Sequence, residues 1–151
     1  MSTFLAYVWR LIVMLIGFAS ACLVAGSIFG SALIFREAQS AIDARDIFEI
    51  AFYVAMFGFF IASVGGIIVA IPFIIFAVFA ETFGWRGFLL HGVMGGLLGL
   101  GSLLLVTVSI EAEIVTASMA AGIAGGWLYW LIAGRNAGKV LDMIAAERSA
   151  S

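Results

Sequence analysis

The sequence predicts an all-α membrane protein, a single integral membrane domain over residues 1–151 with four transmembrane helices in an antiparallel bundle. Three observations predict it. Hydrophobic residues make up 65% of the chain and charged residues only 11%, too few to cover a soluble domain of this size. The apolar residues fall into four long runs, each reaching the roughly 20 residues that a helix needs to cross a hydrocarbon core about 30 Å thick. None of the runs alternates polar and apolar residues with period two, which disfavours a β-barrel. Helices satisfy every backbone amide within their own segment, as lipid requires.

The first span is placed at about residues 11–35. Arg10 followed by an apolar stretch and Ala19-Ser20-Ala21-Cys22 resembles a cleavable leader, but the apolar run continues unbroken to Phe35, so an uncleaved span is expected. Cys22 is the only cysteine, excludes an intramolecular disulfide and reads as a small packing residue. The second span, about 47–80, is overlong for a simple crossing. Pro72 lacks an amide hydrogen and crowds the carbonyl four residues back, so a bend near Pro72 is expected to absorb the excess. The third span is placed at about 88–110 and the fourth at about 114–134. The connection Glu111-Ala112-Glu113 makes the third and fourth helices antiparallel neighbours. Residues 135–151 read as a short amphipathic tail, with Val140, Leu141, Ile144 and Ala145 at helical spacing against Lys139, Asp142, Glu147 and Arg148.

Orientation follows from lysine and arginine beside the spans, which resist translocation. Arg10, Arg86, Arg135, Lys139 and Arg148 share one side, and only Arg36 and Arg45 lie on the other. Both termini are therefore expected in the cytoplasm, and a bacterial inner membrane is the expected setting. Trp9, Trp85, Trp127 and Trp130 fall near span ends on the basic side, where amphipathic rings favour the headgroup level.

Close packing is expected from small residues, since no hydrophobic force drives helices together in lipid. Gly26 and Gly30 in the first span, Gly58, Ala62 and Gly66 in the second, Gly92, Gly96, Gly95 and Gly99 in the third, and Ser118, Gly122 and Gly126 in the fourth recur at four-residue intervals. Each series draws a groove along one helix face. A tight bundle uses such grooves internally; a surplus groove would suit a partner or a second copy.

Polar residues near the membrane are few enough to weigh singly. Glu49 follows Asp46 by three positions and reads first as a helix-dipole carboxylate. The sharper reading joins Asp46, Glu49, Glu111 and Glu113 into an acidic outer vestibule that gathers cations. His91, the only histidine, is expected at the cytoplasmic interface or bonded to its own helix; a proton relay with Glu81 is the functional alternative. The chain has no HExxH, P-loop, dinucleotide fingerprint or Cys/His cluster, so no catalytic residue, metal or cofactor is assigned. The expected function is a non-enzymatic structural, assembly or regulatory subunit acting through helix packing, with membrane lipids and another membrane protein or itself as partners and no nucleic acid. The alternative is a small oligomeric transporter or channel.

Overall fold

A computed structural model describes residues 3–38, 47–106, 111–139 and 149 of the chain. Four helices carry the fold: α1 over Thr3–Ala38, α2 over Ile47–Phe83, α3 over Phe88–Val106 and α4 over Ala112–Ile132. All four are long and apolar enough to cross a membrane, and they pack against one another. The described residues contain no strand.

Helix α1 begins earlier than the sequence predicts. Trp9 and Arg10 read as flanks of a span, yet the helix runs through them from Thr3, because the Arg10 side chain finds partners within the bundle instead of ending the apolar segment. Its 36 residues correspond to about 54 Å, so α1 is overlong as well as α2. Helix α2 runs as one assigned helix of 37 residues with Pro72 inside it. Residues 140–148 of the expected amphipathic tail, together with Asp43, Arg45, Asp46 and the expected end of the third span at 107–110, lie outside the described residues.

The end of α2 has an identifiable cause. Gly84 adopts φ 64°, a left-handed conformation that costs a side-chain-bearing residue about 1–2 kcal/mol, and Trp85 then donates its backbone N–H to the Ala80 carbonyl at 2.8 Å. The chain turns over Gly84–Gly87 into α3. At the other end of the molecule, Val115 donates back to the Glu111 carbonyl at 3.0 Å as α4 starts. After Ile132 the chain tightens into a 3-10 turn over Gly134–Asn136, and Gly138 takes φ 75°.

The packing order is α2, α1, α4, α3. Helix α1 lies against both α2 and α4, and α4 lies against both α1 and α3, whereas α2 and α3 touch only sparsely despite their short connection. The three closed seams are built by small residues. On the α1–α2 seam an added Cβ at Gly26 would stand 2.5 Å from the Gly58 carbonyl oxygen, and one at Gly30 would stand 3.1 Å from the Gly58 Cα. On the α3–α4 seam a Cβ at Gly95 would overlap the Gly122 carbonyl oxygen, and one at Gly99 would lie 2.5 Å from the Ser118 carbonyl oxygen. The α1–α4 seam brings Gly125 against the Ala21 carbonyl, an added Cβ falling 2.9 Å from it. Along α3 and α4 the register pairs rising numbers with falling ones: His91 with Gly126, Gly95 with Gly122, Gly99 with Ser118.

Candidate functional site

Two features stand out in this apolar bundle: a polar tie at the end where α2 turns into α3, and an apolar cavity leading away from it.

The tie starts from Arg10 on α1. Its Nε donates to Glu81 Oε1 on α2 at 2.6 Å, its Nη2 pairs with the same carboxylate, and Nη2 also donates to the Ala133 carbonyl beyond α4 at 2.8 Å. The second Glu81 oxygen accepts the Gly138 backbone N–H at 2.8 Å. Arg86 extends the set, its Nε donating to the Ala137 carbonyl at 2.6 Å, and Trp130 Nε1 donates to the Arg86 carbonyl at 2.8 Å. One guanidinium and one carboxylate thus fasten α1, α2 and the segment after α4. The carbonyls of Ala133 and Ala137 sit where a helix and a 3-10 turn end, the negative end of each dipole, which suits the arginines. The Arg10 and Glu81 side chains are 12% and 22% exposed, so water screens the pair less than it would a surface pair.

His91 lies beside this tie without joining it. The sequence places it at the interface, but only 1% of it is exposed, because α3 turns it inward between Phe76 and Tyr129. Its Nδ1 meets the Gly87 carbonyl at 2.9 Å, the own-helix bond that was the other half of the expectation. A carbonyl only accepts, so Nδ1 carries the proton and Nε2 of the neutral ring is left as an acceptor. Nε2 is buried and has no hydrogen-bond partner among the described residues. An added Cβ at Gly134 would stand 2.6 Å from it. Glu81 and His91 share no hydrogen bond among the described residues; the Glu81 oxygens are engaged by Arg10 and Gly138.

The cavity occupies the open side between α2 and α3, with a volume of about 420 Å³. All four helices line it. Phe18, Phe73, Phe76, His91 and Tyr129 crowd one end, with Phe18 stacked on Phe73 at 4.3 Å and Phe73 edge-on to Tyr129 at 4.9 Å. Pro72 immediately precedes this aromatic group. Cys22 also lines the wall and lies 3.3 Å from where a Cβ on Gly66 would stand. Two serines line the wall with their hydroxyls engaged: Ser102 and Ser118 each donate to the Gly99 carbonyl at 2.8 Å, the latter across the α3–α4 seam.

The other sequence-predicted residues are dispersed. Gly92 lies under the Trp127 ring, which stacks on Phe88 at 4.8 Å, and Gly96 lies against Ile123. Gly126 adjoins the His91 carbonyl. Glu49 is exposed in the first turn of α2. Glu111 pairs with Arg36 at 2.5 Å across the opposite end of the molecule, where both are well exposed, and Glu113 is exposed nearby in sequence. Sequence reasoning missed the Arg10–Glu81 tie, the burial of His91 and the cavity. An arginine and a glutamate at two span ends on the same side were the available signal for the first.

No protein-family model, curated protein sequence or solved structure matches the chain.

Proposed function

We propose that the chain is a small non-enzymatic integral membrane protein of the bacterial inner membrane, with both termini cytoplasmic, acting as a structural, assembly or regulatory subunit. The observation that carries this reading is the use of its polar groups: Arg10, Glu81 and Arg86 bind helix ends to one another, and the cavity lined by all four helices is apolar. Groups held this way fasten a scaffold. The opposed numbering across the seams supports an antiparallel bundle closed by small-residue packing, and Pro72, inside α2 and just before the aromatic group at the cavity end, supports a bend there.

The partner face we assign is the outer side of α2, which contacts one neighbouring helix closely and leaves Phe52, Phe59, Ile67 and Ile71 more than half exposed. The partner is another membrane protein or a second copy of the chain. A photo-crosslinking residue at Ile67, compared with one at Leu105 on α3, followed by gentle extraction and native mass spectrometry, tests this. A defined complex captured from Ile67 supports the reading. A monomer captured by nothing at either position sinks it.

The alternative of a small oligomeric transporter or channel draws on Glu49 and Glu113, which remain exposed. Cation flux in liposomes that falls when both are neutralised would favour it over the subunit reading.

A further inference from the structure

We infer that the cavity between α2 and α3 is a binding site for one acyl chain of a bilayer phospholipid. The chain enters sideways through the gap between those helices, with its methyl end against the aromatic group and its head group at the other end of the bundle.

The cavity is long and narrow. On α1 its lining runs from Phe18 to Leu33 and on α4 from Ile114 to Tyr129, fifteen positions in each case and so about 22 Å of helix. Spread over that length, about 420 Å³ gives a mean cross-section of about 19 Å², whereas a helix 10–12 Å across takes roughly 80–110 Å². A neighbouring helix is therefore too thick to fill it. An extended chain advances at most about 3.6 Å per three bonds, so the length suits roughly 18 bonds, the scale of one membrane acyl chain.

One end of the cavity is blind. Phe18 stacks on Phe73 at 4.3 Å, Phe73 is edge-on to Tyr129 at 4.9 Å, Tyr129 stacks on His91 at 5.8 Å, and His91 is edge-on to Phe76 at 5.2 Å. These rings come from all four helices, and the Phe76–His91 contact bridges α2 and α3, which otherwise touch only sparsely. Away from the rings the gap faces the hydrocarbon of the bilayer.

The wall rejects charge without choosing among head groups. Among the described residues no Asp, Glu, Lys or Arg lines it. Ser102 and Ser118 donate to Gly99, His91 Nδ1 is bonded to Gly87, and Gly134 covers His91 Nε2. The Tyr129 hydroxyl is carried by a ring of the blind end, the region that meets the methyl end of the guest. A charged guest would be buried without a counter-ion, which is costly, and hydrocarbon incurs no such cost. The head group stays at the end away from Arg10 and Glu81, at the level of the span ends.

The test uses the full-length protein extracted in detergent with phosphatidylglycerol carrying a diazirine near the end of one chain. Native mass spectrometry is expected to show one phospholipid retained through detergent washing, and irradiation should place adducts on Phe73, Phe76 or Met94 of the wall. Gly65 lines the cavity and Gly101 does not, and an added Cβ at either meets nothing within 4 Å. Gly65→Phe should block the trough and weaken retention at least about tenfold, since each buried methylene lost is worth roughly fourfold in affinity. Gly101→Phe should retain the lipid as the wild type does. Loss of all lipid from the wild type, equal retention in both variants, or adducts confined to outward residues such as Ile67 and Leu105 overturns the assignment. Adduct mapping on the wild type needs no variant, so a misfolded mutant does not rescue it.

Discussion

Arg10 and Glu81, 71 residues apart, are joined within the bundle by a 2.6 Å bond from Nε to Oε1. This pair is the point at which α1, α2 and the segment after α4 meet. Removing either partner leaves the other charge poorly solvated, at an expected cost of about 2 kcal/mol. For a chain of this size that corresponds to a fall in melting temperature of about 4–8 °C in detergent. Arg10→Met and Glu81→Met should each show it, and the double variant should lose less than the two losses added. Strict additivity would mean that the pair contributes no coupling.

The Arg36–Glu111 pair provides the contrast. Its side chains are 41% and 53% exposed, and exposed pairs contribute little. Arg36→Ala is expected to change stability by less than about 0.5 kcal/mol at physiological salt. A loss equal to that of Arg10→Met would show that burial does not separate the two.

Glycine substitutions should divide by seam. Gly95→Ala forces a methyl group onto the Gly122 carbonyl and requires α3 and α4 to separate, at an expected cost of about 2 kcal/mol or more. At Gly101 an added Cβ meets nothing within 4 Å, so Gly101→Ala should be neutral or gain up to about 1 kcal/mol from reduced chain freedom. Thermal melts of the two variants side by side check this, and equal effects would contradict the backbone-level seam.

Two further glycines separate strain from crowding. Gly84 has φ 64° with open space around it, and Gly138 has φ 75° with Gly84 Cα 3.0 Å from an added Cβ. Gly84→Ala should cost about 1–2 kcal/mol from the left-handed backbone alone. Gly138→Ala should cost more, because it also displaces the N–H that holds Glu81. The comparison is a melting series of both variants in wild-type and Glu81→Gln backgrounds.

The class of the fold was legible because composition decides it: four runs this apolar leave only membrane helices. The small-residue series were also legible as periodic patterns, but their pairing was not. Gly26 could have faced any of three grooves, and its position against Gly58 follows from tertiary packing that spacing alone does not encode. The site was less readable. An arginine beside a span reads as a boundary, which set the start of α1 too late, and its partner lay 71 residues away. A lone histidine near a span end reads as interfacial. Only the inward turn of α3 between Phe76 and Tyr129 buries it.

The α1–α4 seam also constrains how the molecule is made. A Cβ added at Gly17 would stand 3.3 Å from the Ala133 Cβ, and the two residues lie near opposite ends of the described chain. Synthesis runs from the N-terminus, so the α1–α2 hairpin can pair early while the second face of α1 still borders lipid. That face is covered only when α4 emerges, and Arg10 acquires its Ala133 contact at the same late stage. A ribosome stalled before α4 would therefore display an unfinished membrane surface, which is the form that quality-control factors would meet.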